Sequence, residues 1–101
     1  MKKEYLLSLN IPPGLEEEFV DELLSSDLIS GYQSYPTSGH GQVGAMSIAE
    51  QVAGRRNRVQ FEIALDEDAV SPLLSQLKMA FPTPDIIYWL VPIAQSGRFA
   101  D

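Results

Sequence analysis

Twice in 101 residues the chain passes from a two-residue apolar rhythm to a helical one and back, and few folds accommodate that order. Glu4 to Asn10 sets Tyr5, Leu7 and Leu9 against Glu4, Ser8 and Asn10, the pattern of a strand with one buried face. Pro12, Pro13 and Gly14 end it, and Pro13 suits a first helical turn. Leu15, Phe19, Val20, Leu23 and Leu24 then share one stripe, while Glu16, Glu17, Glu18, Asp21 and Glu22 lie elsewhere. Those early acids also match the positive end of the helix dipole. Leu28 to Tyr35 reads as a second strand, bent at Gly31 and stopped by Pro36.

The second passage is clearer. Val59, Phe61, Ile63 and Leu65 face one way, and Arg58, Gln60, Glu62 and Ala64 face the other, toward solvent. A helix follows with the stripe Val70, Leu73, Leu74, Leu77 and Phe81. Proline is tolerated in a first turn, so Pro72 places its start between Asp68 and Pro72. Pro82 and Pro84 end it, and Ile86 to Ile93 forms a last strand. With right-handed crossovers, β-α-β-loop-β-α-β gives an α+β, ferredoxin-like βαββαβ fold. Its four-stranded antiparallel sheet carries both helices on one face. A chain of this length supports a single core, so residues 1–101 are expected to form one domain with a long loop at 37–56 and a tail at 94–101.

The last strand does not suit a monomer. Ile86-Ile87-Tyr88-Trp89-Leu90-Val91 has nothing polar on either face, yet helices cover only one side of the sheet. An apolar strip of that kind marks an interface, so self-association is expected.

Charge and composition exclude several roles. A formal net charge of −7 disfavours nucleic acid, whose binding rests on neutralising phosphates. Cysteine is absent, which removes disulfides and thiolate metal sites. The apolar run from Ile86 to Ala94 is far short of the roughly 20 residues of a membrane span. Met1-Lys2-Lys3 is followed by Glu4 rather than an apolar signal core. A cytoplasmic protein without direct membrane insertion is the expectation.

The residues richest in chemistry run from Thr37 to Glu62. Gly39, Gly41 and Gly44 permit positive φ and close backbone approach, so Gly39, His40, Gly41 and Gln42 are candidate ligand contacts. Taken alone, Gly39-His40-Gly41 favours a plain surface loop. His40 is the one candidate metal ligand, and a single histidine makes no zinc site within one chain. Ser47-Ile48-Ala49-Glu50 fits a capping box with Gly54 as a stop, which predicts a short helix through Ala53. Three of the seven basic residues, Arg55, Arg56 and Arg58, cluster next and could grip phosphate or carboxylate. Ion pairing with a neighbouring subunit, or solvation, is the equally weighted alternative. Arg98 is either part of a disordered tail or an anion clamp. No nucleophile with a base in reach is suggested and no enzyme motif occurs, so a non-enzymatic role is expected.

Together these elements resemble the PII-like nitrogen-regulatory superfamily across most of the chain. Met1-Lys2-Lys3 leads into the first strand, Leu15-Glu16-Glu17 opens the first helix, and Gly31 to Gly41 is similar to a strand entering the base of the family's T-loop. Arg58 to Ile63 resembles the strand on which that loop returns, and Trp89-Leu90-Val91-Pro92-Ile93 the last strand. The resemblance implies a homotrimer that binds a small effector, commonly an adenine nucleotide, in clefts between subunits. It also implies a T-loop that engages a partner such as a membrane transporter. Pro82-Thr83-Pro84-Asp85 replaces the family's glycine- and lysine-bearing phosphate turn, so ATP binding is expected to be weak or absent. The 37–54 stretch has no tyrosine for uridylylation, and Arg98 stands alone where the family has more basic residues. The sequence resembles a divergent, short branch of the kind associated with heavy-metal efflux components. The alternative is a CutA-like metal-tolerance protein holding a divalent or copper ion through His40 and carboxylates.

Overall fold

The computed structural model describes residues 2–40 and 56–101. Strand β1 (Glu4–Ile11) leads through a 3-10 turn (Pro13–Leu15) into helix α1 (Glu16–Leu24) and strand β2 (Gln33–Gly39). Strand β3 (Arg56–Asp66), helix α2 (Glu67–Ala80) and strand β4 (Ile87–Ile93) follow. The sheet order is β2-β3-β1-β4, antiparallel at every pairing. This is the ferredoxin-like arrangement that the two strand–helix–strand passages predict.

The apolar sides of β1 and β3 coincide because Leu9 stands opposite Phe61 and Leu7 opposite Ile63. Against them pack Phe19 and Leu23 from α1 and Val70, Leu73 and Leu77 from α2, forming one buried cluster. The Phe19 ring centroid lies 4.9 Å from Phe61 and 5.2 Å from Phe81, within the range where tilted rings attract. Gln76 Nε2 ties the helices together, donating to the Glu22 carbonyl at 3.3 Å and to its Oε1 at 3.1 Å. The Glu67 amide donates to the Lys3 carbonyl at 2.9 Å, which fixes where α2 leaves the sheet.

Several boundaries differ from the sequence reading. The second strand is Gln33–Gly39, not Leu28–Tyr35, and Pro36 lies inside it opposite Val59. β2 is an edge strand with a ladder on one side only, so a residue whose N–H would point outward can be proline. Pro92 sits in the other edge strand on the same terms. Helix α2 begins at Glu67, ahead of the expected window, so Pro72 falls in its second turn. The carbonyl four residues earlier belongs to exposed Asp68 and is open to solvent, so the missing backbone donor is tolerated. Thr37, Ser38 and Gly39 belong to β2 and Arg56 to β3, so the strands are joined through residues 40–55. The predicted helix at Ser47–Ala53 lies outside the described residues.

The face without helices holds the largest departure. Arg58 and Gln60, read as solvent-facing, are buried, as are Ser8 and Arg56. Asn10 Nδ2 donates to Gln60 Oε1 at 2.9 Å and to Thr37 Oγ1 at 3.4 Å. Among the described residues no buried side-chain nitrogen or oxygen lacks a hydrogen-bond partner, which is the condition for burying polar groups at tolerable cost. On β4 the apolar strip stays uncovered in the single chain. Ile87, Trp89 and Val91 stand opposite Asn10, Ser8 and Leu6 on the open face, and each is more than two-fifths exposed. Tyr88 points the other way, its ring 5.1 Å from Lys78 Nζ on α2.

Candidate functional site

At one end of the sheet, the end of β2, the start of β3 and the turn between α2 and β4 meet in a corner. The turn forms because the chain leaves the helical region at Phe81 and Pro82 and Pro84 forbid further helix. The Thr83 amide donates to the Phe81 carbonyl at 2.8 Å, and the Asp85 amide to Thr83 Oγ1 at 3.2 Å. Asp85 is thereby held over the first residues of β3. Arg56 and Arg58, two apart on a strand, point to the same side.

Both arginines meet Asp85. Arg56 donates from Nη2 to Asp85 Oδ1, and Arg58 Nη1 lies 3.3 Å from the same oxygen. Arg58 also donates to the Asp85 carbonyl at 2.6 Å, the Asn10 carbonyl at 2.8 Å and Asn10 Oδ1 at 2.6 Å. Its side chain is 3% exposed and that of Arg56 11%, whereas Asp85 is 40% exposed. The acid is therefore the solvent-facing member of a buried cationic pair. The sequence offers these arginines either a phosphate or carboxylate ligand or, equally, a neighbouring subunit or water; the structure adds an ion pair within their own chain. Nor does Asp85 stand as a lone acid in its turn.

Gly39 pairs with Arg56 in the ladder and is extended, not left-handed, so positive φ is not its use here. A Cβ at this position would meet Arg58 Cγ at 3.5 Å and Arg56 Cβ at 3.7 Å, ordinary contact beside the arginine stems. His40 follows at the exposed end of β2, close in sequence to the corner. Gly41, Gln42 and Arg55 lie outside the described residues. Arg98 is not brought to the corner in one chain. Ser96 Oγ donates to Glu4 Oε1 at 2.7 Å, anchoring the tail at the far end of β1, roughly 20 Å along the strand from Ile11. Among the described residues no three His, Cys, Asp or Glu side chains gather as a metal site would require. Among the described residues no helix is long and apolar enough to cross a membrane.

Asn10 and Asp85 are the site residues that sequence reasoning missed. Asn10 reads as the polar end of a strand, and Asp85 as an acid in a proline turn. Their partnership with Arg58 depends on the β1–β3 register, which places Asn10 opposite Gln60 and beside Arg58.

A second charged contact lies further along the same face. Tyr35, opposite Gln60, sits diagonally from Glu62. Desolvation first, and then the hydrogen bond to Glu62 and its negative charge, raise the Tyr35 phenol above its ordinary value of 10.0. The folded protein therefore holds this proton more tightly than the unfolded chain. Its contribution to stability is present below pH 10.0 and is lost as pH rises through the folded value. Phenolate absorbance, read as the difference between wild type and Tyr35→Phe, should titrate above 10.0 and move partway back in Glu62→Gln. An unmoved midpoint in Glu62→Gln would remove the carboxylate from the explanation.

Comparison with known proteins places this geometry. No curated protein matches the chain. The crystal structure of a DUF3240 family protein from Shewanella baltica OS155 superposes with a TM-score of 0.80 at 25% identity, covering 99% of this chain and all of that one. CPII, a nitrogen regulatory PII-like protein from Thiomonas intermedia K12 bound to ADP, AMP and bicarbonate, superposes at 0.70 with 23% identity, covering 95% and 94%. Arabidopsis thaliana PII bound to citrate also gives 0.70, at 18% identity, covering 90% of this chain and 78% of that one. These last two share the fold, which is that of PII-like proteins. The family model described as protein of unknown function (DUF3240) matches residues 1–100, and the chain belongs to that family.

Proposed function

We propose that the protein is a non-enzymatic, PII-like regulatory subunit that binds a small effector at the Arg56–Arg58 corner and reports it to a partner protein. The observation that carries this reading is the corner itself. Two buried guanidinium groups stand where the β2–β3 connection returns to the sheet, and they also grip the α2–β4 turn. An effector seated there would touch two connections of the fold at once, and a ligand shifts an equilibrium only through such differential contacts. Two neighbours sharing this fold carry small ligands, citrate in one and ADP, AMP and bicarbonate in the other.

In this reading Gly39, His40, Gly41, Gln42 and Arg55 complete the ligand environment from the connection, which also engages the partner. Arg98 joins only from a second copy, because the tail of its own chain is anchored at the opposite end of β1. A homotrimer supplies that copy, and a membrane transporter or efflux component remains the proposed class of partner. Nothing in the described residues favours a CutA-like metal site over this.

Calorimetric titration with citrate, bicarbonate, ADP and ATP tests the proposal. At least one should bind the wild type, and Arg56→Gln, checked for unchanged thermal unfolding, should weaken that binding about 10-fold or more, as expected for loss of a charge-assisted contact. Equal binding by wild type and variant would move the effector away from this corner.

A further inference from the structure

Asp85 occupies the two arginines from inside the chain, and the manner of its contact is informative. Arg56 and Arg58 both reach the single oxygen Oδ1. Arg58 spends a further donor on the Asp85 backbone carbonyl, at 2.6 Å. Guanidinium groups form their strongest pairs with planar anions through two parallel N–H···O contacts, one to each oxygen. An aspartate tethered at the end of a rigid proline turn meets them end-on instead. A free planar anion is under no such constraint and can present both oxygens.

From this geometry we propose that Arg56 and Arg58 form the seat for a small carboxylate-type anion, a carboxylate or bicarbonate, and that Asp85 is a built-in competitor that the anion displaces. The inference rests on the effector reading above and adds the chemistry of the effector and the group that it must evict. Asp85 is suited to the role because it is the exposed member of the cluster while the arginines are buried. A solvent-borne anion approaches from the acid's side, and Arg58 is already held in place by Asn10 from behind. Tethering over a short connection gives Asp85 an effective concentration of order millimolar, so the seat answers only to an anion that outbids that level. The apparent affinity of any such anion is lowered by the fraction of time the seat is vacant.

Displacement also has a mechanical consequence. Asp85 is fixed within the turn through its amide, which donates to Thr83 Oγ1, and ties the turn to β3 through its carbonyl, which accepts from Arg58. An anion that takes the guanidinium groups releases the turn between α2 and β4 from the start of β3. The effector is then read out as a change in that turn as well as in the β2–β3 connection.

The test is calorimetry with sodium citrate and, separately, sodium bicarbonate, on wild type, Asp85→Asn and Arg58→Gln, with chloride held constant. Asn is isosteric with Asp but removes the competing charge. If the seat is vacant for less than about a tenth of the time, Asp85→Asn should bind at least one of the two anions roughly 10-fold more tightly, and Arg58→Gln should abolish binding. Comparing the two titrations separates a carboxylate from a bicarbonate preference. Binding by wild type with equal or weaker binding by Asp85→Asn overturns the competitor role while leaving the effector reading intact. Absence of citrate and bicarbonate binding in both proteins overturns the anion seat, while the effector reading then stands or falls with the ADP and ATP titrations. A measurement on the wild type alone guards against a misfolded variant: saturating anion should speed hydrogen exchange at the Asp85 amide. Unchanged exchange under saturation overturns the displacement.

Discussion

Replacing Trp89 with aspartate is expected to abolish self-association. Trp89 stands at the centre of β4 on the face away from the helices, 45% exposed and flanked on that face by Ile87 and Val91, each 43% exposed. Half-buried Leu6 on β1 lies opposite Val91 and extends the strip inward. Covering a large apolar side chain stabilises by roughly 1.5–3 kcal/mol, so three adjacent ones provide a substantial drive toward a second copy. A carboxylate at the centre of that patch would be desolvated without a partner, which costs more than the tryptophan contributed. Closed rotational symmetry buries such a strip without growing a filament. Sedimentation should show wild type as an oligomer at roughly tens of micromolar and Trp89→Asp as a monomer or a precipitate. Tyr88→Asp makes the control, because Tyr88 lies on the helix side against Lys78 and should leave association largely intact. A well-behaved wild-type monomer at that concentration would end the interface argument.

The same strand shows how far a sequence carries and where it stops. Alternation in β3 was legible because Val59, Phe61, Ile63 and Leu65 bury against helices, and burial imposes period two on composition. The unbroken apolar run of β4 was legible too, as a face needing a cover. Edge position was not. Pro36 reads as a stop because local rules place proline outside ladders, yet only the sheet order tells that β2 has a free side. Arg58 and Gln60 read as solvent-facing because alternation assigns polar residues outward. Their burial depends on Asn10 and Asp85, which are 48 and 27 residues from Arg58 in the chain. Contacts across such separations leave no periodic trace. The site was therefore legible as a list of basic residues, and illegible as a corner in which an acid already sits between them.

The other large effect lies beneath the sheet. Phe61→Ala should cost about 3–5 kcal/mol of folding stability, the range for truncating a buried phenylalanine. Phe61 is fully buried, and its ring touches both ends of the architecture: Phe19 of α1 at 4.9 Å and Tyr32 ahead of β2 at 5.8 Å. Phe19 passes the contact to Phe81, the residue from which the α2–β4 turn departs, at 5.2 Å. The cavity left by alanine would thus loosen the support on which Asp85 is presented to Arg56 and Arg58. Domains of this size are stable by about 5–15 kcal/mol in total, so the variant should lose about a fifth of its stability or more. Urea unfolding at one fixed protein concentration, needed because association adds to apparent stability, measures the loss. Met79→Ala, at an 85% exposed helix position, should change stability by no more than about 0.5 kcal/mol and calibrates the comparison. If Phe61→Ala costs no more than Met79→Ala, the aromatic cluster is not what joins the helices to the sheet, and the route from core to corner fails with it.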